Sequence, residues 1–183
     1  MLEIFLPERE IFDDEKQEFV LIKAQTLNLE HSLVSLSKWE SKWCKPFLSS
    51  EKNVEQTIDY IKCMTLTQNV KPEVYLNLSA NEINLVKDYI DAPMTATWFN
   101  EAPGTVTRSR EVITAEIIYY WMIAQNIPFE CQKWHLNRLI TLIKVCGIKN
   151  APPKKTGRAG RREMFAQRQA LNAARRAQYN TRG

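Results

Sequence analysis

The spacing of apolar residues divides the chain into a β-like start and a helical remainder. Two short apolar stretches, LEIFL and EFVLI, flank an acidic segment, PEREIFDDEKQ, and TLNLEHSL then alternates apolar and polar residues with period two. This predicts two or three antiparallel strands within the first 36 residues, joined by an acidic loop. From Ser37 onward the period becomes helical. Ser49 or Ser50 can cap a helix carrying Val54, Ile58, Ile61 and Met64. Ser79 and Glu82 have capping-box spacing ahead of Ile83, Val86 and Ile90, and Pro93 closes that helix. The stretch PMTATWFNEAPGTVTRS, with two prolines and a glycine, reads as a loop.

The densest apolar region is 110–147. Ile113, Ile117, Tyr120, Trp121 and Ala124 predict one broad helical face, which Pro128 breaks because it has no amide hydrogen to donate. Leu136, Leu139, Ile140 and Ile143 form a second stripe that Gly147 can terminate. Two helices so closely joined predict an antiparallel hairpin carrying most of the core. The expected fold is α+β: a small N-terminal antiparallel sheet, a mainly helical body with this long hairpin, and a basic C-terminal arm. The globular domain is expected over 1–150 and the arm, helical or disordered, over 151–183.

Charge sharpens that division. Residues 151–183 hold nine Lys/Arg and one Glu, whereas residues 1–150 hold 16 basic and 20 acidic groups. A mildly acidic body thus carries a strongly basic tail, in which Arg161, Arg162, Arg168, Arg175 and Arg176 are the candidate arm residues. Arginines spaced by Ala, Gln and Asn suit phosphates, and equally an acidic protein surface. No apolar run of about 18 residues predicts a membrane span, and the acidic MLEIFLPERE lacks the basic start of a signal peptide. A cytoplasmic protein with no membrane partner is expected.

Candidate chemistry is sparse. Cys44, Cys63, Cys131 and Cys146 are widely spaced and only two histidines accompany them, which argues against a zinc site and for reduced, structural thiols. No Gly-rich phosphate loop or nucleophile elbow is present, and no cofactor is expected. Cys131 and His135 are spaced to face one another on a helix, but no third orienting group is evident. Asp13, Asp14 and Glu15 could meet a cation or simply form a solvated loop. No enzymatic activity is expected. Trp39 and Trp43 share a helix face with Leu36, beside Lys38 and Lys42. Two readings stand for them: packing on the 110–147 helices, or a partner site with a lysine rim. With Trp98 and Phe99 of the Pro-rich loop, they are the candidate partner-binding residues.

Several stretches taken in order, LEHSLVSLSKWESKWCKPFLSSEK, YIKCMTLTQNV, DYIDAPMTAT, EIIYYWMIAQNIPFECQKWHLNRLITLIKVC and ALNAARRAQYNTRG, resemble tail assembly chaperones of tailed bacteriophages. The resemblance runs from about residue 26 to the end. It implies a non-enzymatic protein of the infected host's cytoplasm that binds the tape measure protein, a very long helical chain, until tube subunits polymerise around it. Three alternatives stay open beside it: a virion structural protein of capsid, neck or tail using its arm as a clamp, nucleic-acid binding through that arm, and association of copies of this chain.

Overall fold

The structure, a computed structural model, describes residues 1–13, 18–99, 111–151 and 158–179. The chain divides into two compact units, Met1–Lys149 and Asn150–Gly183. The first is α+β and mainly helical, with a small antiparallel β-structure at its N-terminus.

Four strands form where two or three were expected: β1 (Leu2–Leu6), β2 (Arg9–Asp13), β3 (Glu18–Ile22) and β4 (Gln25–Leu29). β1 pairs antiparallel with β4, and β2 with β3, as two two-stranded ladders. The last pair of the first ladder is Leu6↔Gln25 and the first pair of the second is Arg9↔Ile22. Both strands therefore skip an equal number of residues, and the ladders belong to one long ribbon interrupted at Pro7, which cannot donate to a ladder. In the inner ladder Ile4, Leu6, Leu27 and Leu29 are buried. The free edge of β4 is covered by the segment after Met64, through Glu30 N–H to Met64 O at 2.9 Å and Leu66 N–H to Asn28 O at 2.7 Å. In the outer ladder Ile22 is buried and Phe12, Phe19 and Leu21 are exposed. Arg9 of β2 ties this ladder down, reaching the Glu82 carboxylate at 2.6 Å and the Asn77 carbonyl at 3.0 Å.

The helices are α1 (Leu33–Trp43), α2 (Val54–Met64), α3 (Pro72–Leu76), α4 (Ala80–Asp91), α5 (Ala115–Ala124), a 3-10 turn (Phe129–Lys133), α6 (Leu136–Asn150) and, in the second unit, α7 (Arg158–Tyr179). Ser79 and Glu82 make the expected capping box, so two amide donors at the start of α4 are satisfied reciprocally. Asn53 with Gln56, rather than Ser49 or Ser50, caps α2. The core centres on α1: Leu33, Leu36 and Trp39 are fully buried among Leu27, Leu29, Ile61, Met64, Ile118, Met122, Leu136 and Leu139. Both helices expected over 110–147 form. They are separated by the 3-10 turn, but α5 leans on α1 rather than packing extensively on α6, so the expected antiparallel hairpin is not the centre of the core. The buried side of α5 is Ala115, Ile118 and Met122, not the face through Ile113, Tyr120 and Ala124, and α6 continues through Gly147 instead of ending there.

Candidate functional site

Trp39 is part of the core, which corrects its partner-binding reading, while Trp43 is anchored to α2 and stays half-exposed. α1 starts early, at Ser32, whose side chain and that of Ser35 form a capping box. That start directs Leu36 and Trp39 inward. Trp39 is fully buried and its indole N–H donates to the Gln56 carbonyl at 2.9 Å. Trp43 is half-buried and donates to Asp59 Oδ2 at 2.9 Å. Lys42 pairs with the other oxygen of that carboxylate. Burial opposes ionisation of Asp59, but the hydrogen bonds from Lys42 and Trp43 overcome it and hold its pKa below the usual carboxylate value. The two tryptophans thus tie α1 to α2 through their indole donors.

Trp98 and Phe99 keep their candidacy. Trp98 is 85% exposed. Phe99 is half-buried in an open groove of about 360 Å³, lined also by Pro93 and by Asn137, Ile140 and Lys144 of α6. The Lys144 ammonium lies 5.7 Å from the Phe99 ring centre. Asn137 fixes this wall by donating to the Ile90 and Ala92 carbonyls, both at 2.9 Å.

A second apolar surface escaped sequence reasoning. α5 reads AEIIYYWMIA and is apolar around nearly its whole circumference, yet one side alone enters the core. Tyr120 and Ile123, one helical turn apart, are 66% and 59% exposed, and Phe129 just beyond the helix is 53% exposed. Tyr119 stacks obliquely near Phe129, centroids 6.4 Å apart, and donates to Gln132 Oε1 at 2.8 Å. The signal was in the sequence: a helix apolar on all sides needs more than one covering partner. The exposed Phe12 and Phe19 form a smaller patch, a cross-strand pair with centroids 5.1 Å apart.

The entry to α5 is set by a distant acid. Thr114 gives no side-chain cap. Instead buried Glu40 of α1 accepts from Ala115 N–H with Oε2 and from Phe47 N–H with Oε1, both at 2.7 Å. A carboxylate at the positive end of a helix is the favourable sign.

No catalytic arrangement emerges among the described residues. Cys131 sits in the 3-10 turn and the chain becomes extended at Trp134, so the Cys131–His135 helical spacing is not realised. Both ring nitrogens of His135 are engaged: Nε2 donates to Tyr89 O at 2.9 Å and Nδ1 accepts from Asn137 N–H at 3.3 Å. His31 lies against it, ring centres 5.1 Å apart, with its Nδ1 at 2.6 Å from the Tyr60 hydroxyl. Burial, with the neighbouring His135, pulls the His31 pKa down to about 3, and burial lowers that of His135 too. This neutral pair joins the start of α1 to the start of α6, where Leu136 N–H also reaches His31 O at 2.7 Å. No group of three or more His, Cys, Asp or Glu suited to a metal occurs among the described residues. Asp14, Glu15 and the side chain of Asp13 lie outside them.

α7 carries the candidate arm residues. The side chains of Arg162, Arg168, Arg175 and Arg176 are exposed, and that of Arg161 lies outside the described residues. No described helix is long and apolar enough to cross a membrane. Comparison of the chain with family models, with curated proteins and with solved structures finds no match.

Proposed function

We propose that this chain is a non-enzymatic tail assembly chaperone of a tailed bacteriophage, holding the tape measure protein in the cytoplasm of the infected host. The observation that carries the reading is the outward side of α5, where Tyr120 and Ile123 stand exposed on a helix whose other side is fixed in the core. A rigid aromatic and aliphatic helix face is the kind of surface that an amphipathic helical client covers. Aromatic residues dominate such contacts because they bury large area at low entropic cost. Exposed Trp98, beside the Phe99 groove, extends the apolar surface available on this unit. The client's identity rests on the sequence resemblance described above.

The test is co-expression with the tape measure protein of the same phage. The wild-type chain is expected to keep that protein soluble and to co-purify with it. Tyr120→Ser with Ile123→Ser is expected to lose most of this retention at unchanged melting temperature. Full retention by the double variant removes α5 as the client face, and an insoluble tape measure protein beside the wild-type chain overturns the chaperone reading.

The separate basic unit favours a second reading, a structural protein of the virion whose arm clamps a neighbour. Mass spectrometry of purified particles separates the two. A departing chaperone is absent from the particle while abundant in the lysate, and a structural protein is present in many copies.

A further inference from the structure

α7 is organised in seven-residue steps. All six of its cations are arginine and none is lysine. At about 100° per residue, Arg168 and Arg175 fall on one line along the helix, while Arg162 and Arg176 fall on a second, roughly a third of a turn away. Phe165, Asn172 and Tyr179, themselves seven apart, run between the two rows. Ala166, Ala170, Ala173, Ala174 and Ala177 take the opposite side. Every described side chain of the helix is exposed.

We propose that α7 binds duplex DNA, lying in the major groove with its two arginine rows on the phosphates of opposite strands. Guanidinium groups match phosphate oxygens bidentately, and exclusive use of arginine over lysine is what that geometry favours. The major groove of B-form DNA admits an α-helix, and a seven-residue step advances about 10.5 Å along it. The strip between the rows then faces the base edges, where Asn172 can pair and the Phe165 and Tyr179 rings make apolar contact. The same arrangement argues against other partners. Met164 and Leu171 lie outside the first arginine row and Phe165 inside it, so the large apolar residues form no continuous stripe. A membrane surface or a protein groove requires such a stripe. Because most of the contact is to phosphate, the binding is largely independent of sequence.

The experiment is fluorescence anisotropy with the full chain and three probes: a labelled 20-base-pair duplex DNA of arbitrary sequence, the equivalent RNA duplex, and polyglutamate. Four arginines on phosphates give a slope of log affinity against log salt of about −3.6, or about 150-fold weakening between 50 and 200 mM salt. Arg168→Gln with Arg175→Gln is expected to flatten that slope by about 1.8, whereas Ala170→Gln with Ala174→Gln on the opposite side leaves it unchanged. Alanine is the better helix former of the residues replaced, so loss of helix would strike the alanine pair at least as hard as the arginine pair. Four results overturn the proposal: no DNA binding at 50 mM salt, an unchanged slope in the arginine variant, equal loss in both variants, or tighter binding of either other probe. The narrow, deep major groove of an RNA duplex is closed to a helix, so a preference for RNA also refutes the docking.

Discussion

Glu40 offers the sharpest test of how this fold is held. Its carboxylate is buried and accepts two backbone donors, Phe47 N–H and Ala115 N–H, from segments far apart in sequence. Glu40→Ala leaves both donors in residues that are themselves buried. Each orphaned donor costs about 1–3 kcal/mol, offset in part because a charge need no longer be desolvated. A net loss of about 2–4 kcal/mol follows, which for a chain of this size lowers the melting temperature by about 5–15 °C. Glu40→Gln keeps one acceptor oxygen but turns an amide NH2 toward the other donor, so it is expected to lose about half as much. Urea denaturation followed by tryptophan fluorescence and scanning calorimetry give both values, with the denaturant slope expected to stay constant. An alanine variant within about 0.5 kcal/mol of wild type would refute the reasoning. So would a glutamine variant as stable as glutamate, since one acceptor would then suffice.

Three further outcomes follow from the same geometry. Trp39→Ala is expected to cost about 3–5 kcal/mol, as a fully buried ring, whereas Trp98→Ala stays within about 0.5 kcal/mol; equal melting temperatures for the two would contradict the assignment of Trp39 to the core. His31 is neutral in the fold and its pKa lies below the unfolded value of about 6.5, so the unfolded chain takes up the proton first as pH falls. Stability is therefore full above about pH 6.5 and declines below it by up to about 1.4 kcal/mol per pH unit for this one group. Urea midpoints that do not move between pH 6.5 and 4.5 would disprove it, and His31→Gln is expected to flatten the decline. Truncation after Ala151 is expected to shift the melting temperature by less than about 2 °C, because the described α7 side chains are exposed; calorimetry on the shortened chain decides.

The elements with strong local chemistry were legible in the sequence. The Ser79–Glu82 box, the Leu136, Leu139 and Ile143 stripe, and the compositional break after Asn150 each rest on contacts within a few residues. What could not be read was direction. α5 is apolar on every side, so its periodicity does not say which side is buried, and contact with α1 selects Ala115, Ile118 and Met122. Trp39 and Trp43 have the spacing of either a core stripe or a client face. Their indole donors met Gln56 and Asp59 of α2, partners that no pattern within α1 announces. The same holds for Glu40, a charged residue on an amphipathic helix whose burial depends on donors seven and 75 residues away. The pairing of β2 with β3 was visible in principle, since Phe12 and Phe19 flank a short acidic stretch of sequence and stand opposite one another in the ladder.

The proline in the β-ribbon divides it into two compartments that need not open together. The inner ladder is clamped on one face by the core and along one edge by the chain after Met64. The outer ladder hangs from the Arg9–Glu82 pair and the buried Ile22. Zipping of hydrogen bonds along a hairpin stops where a residue cannot donate, so fraying that starts at the Asp13↔Glu18 end of the outer ladder is expected to end at Pro7. Amide protons of Arg9–Asp13 and Glu18–Ile22 then exchange with solvent through a local opening, while those of Leu27 and Leu29 wait for the whole unit to unfold. The ribbon is in effect a fuse: opening of its far end is expected to leave intact the core that the near end secures.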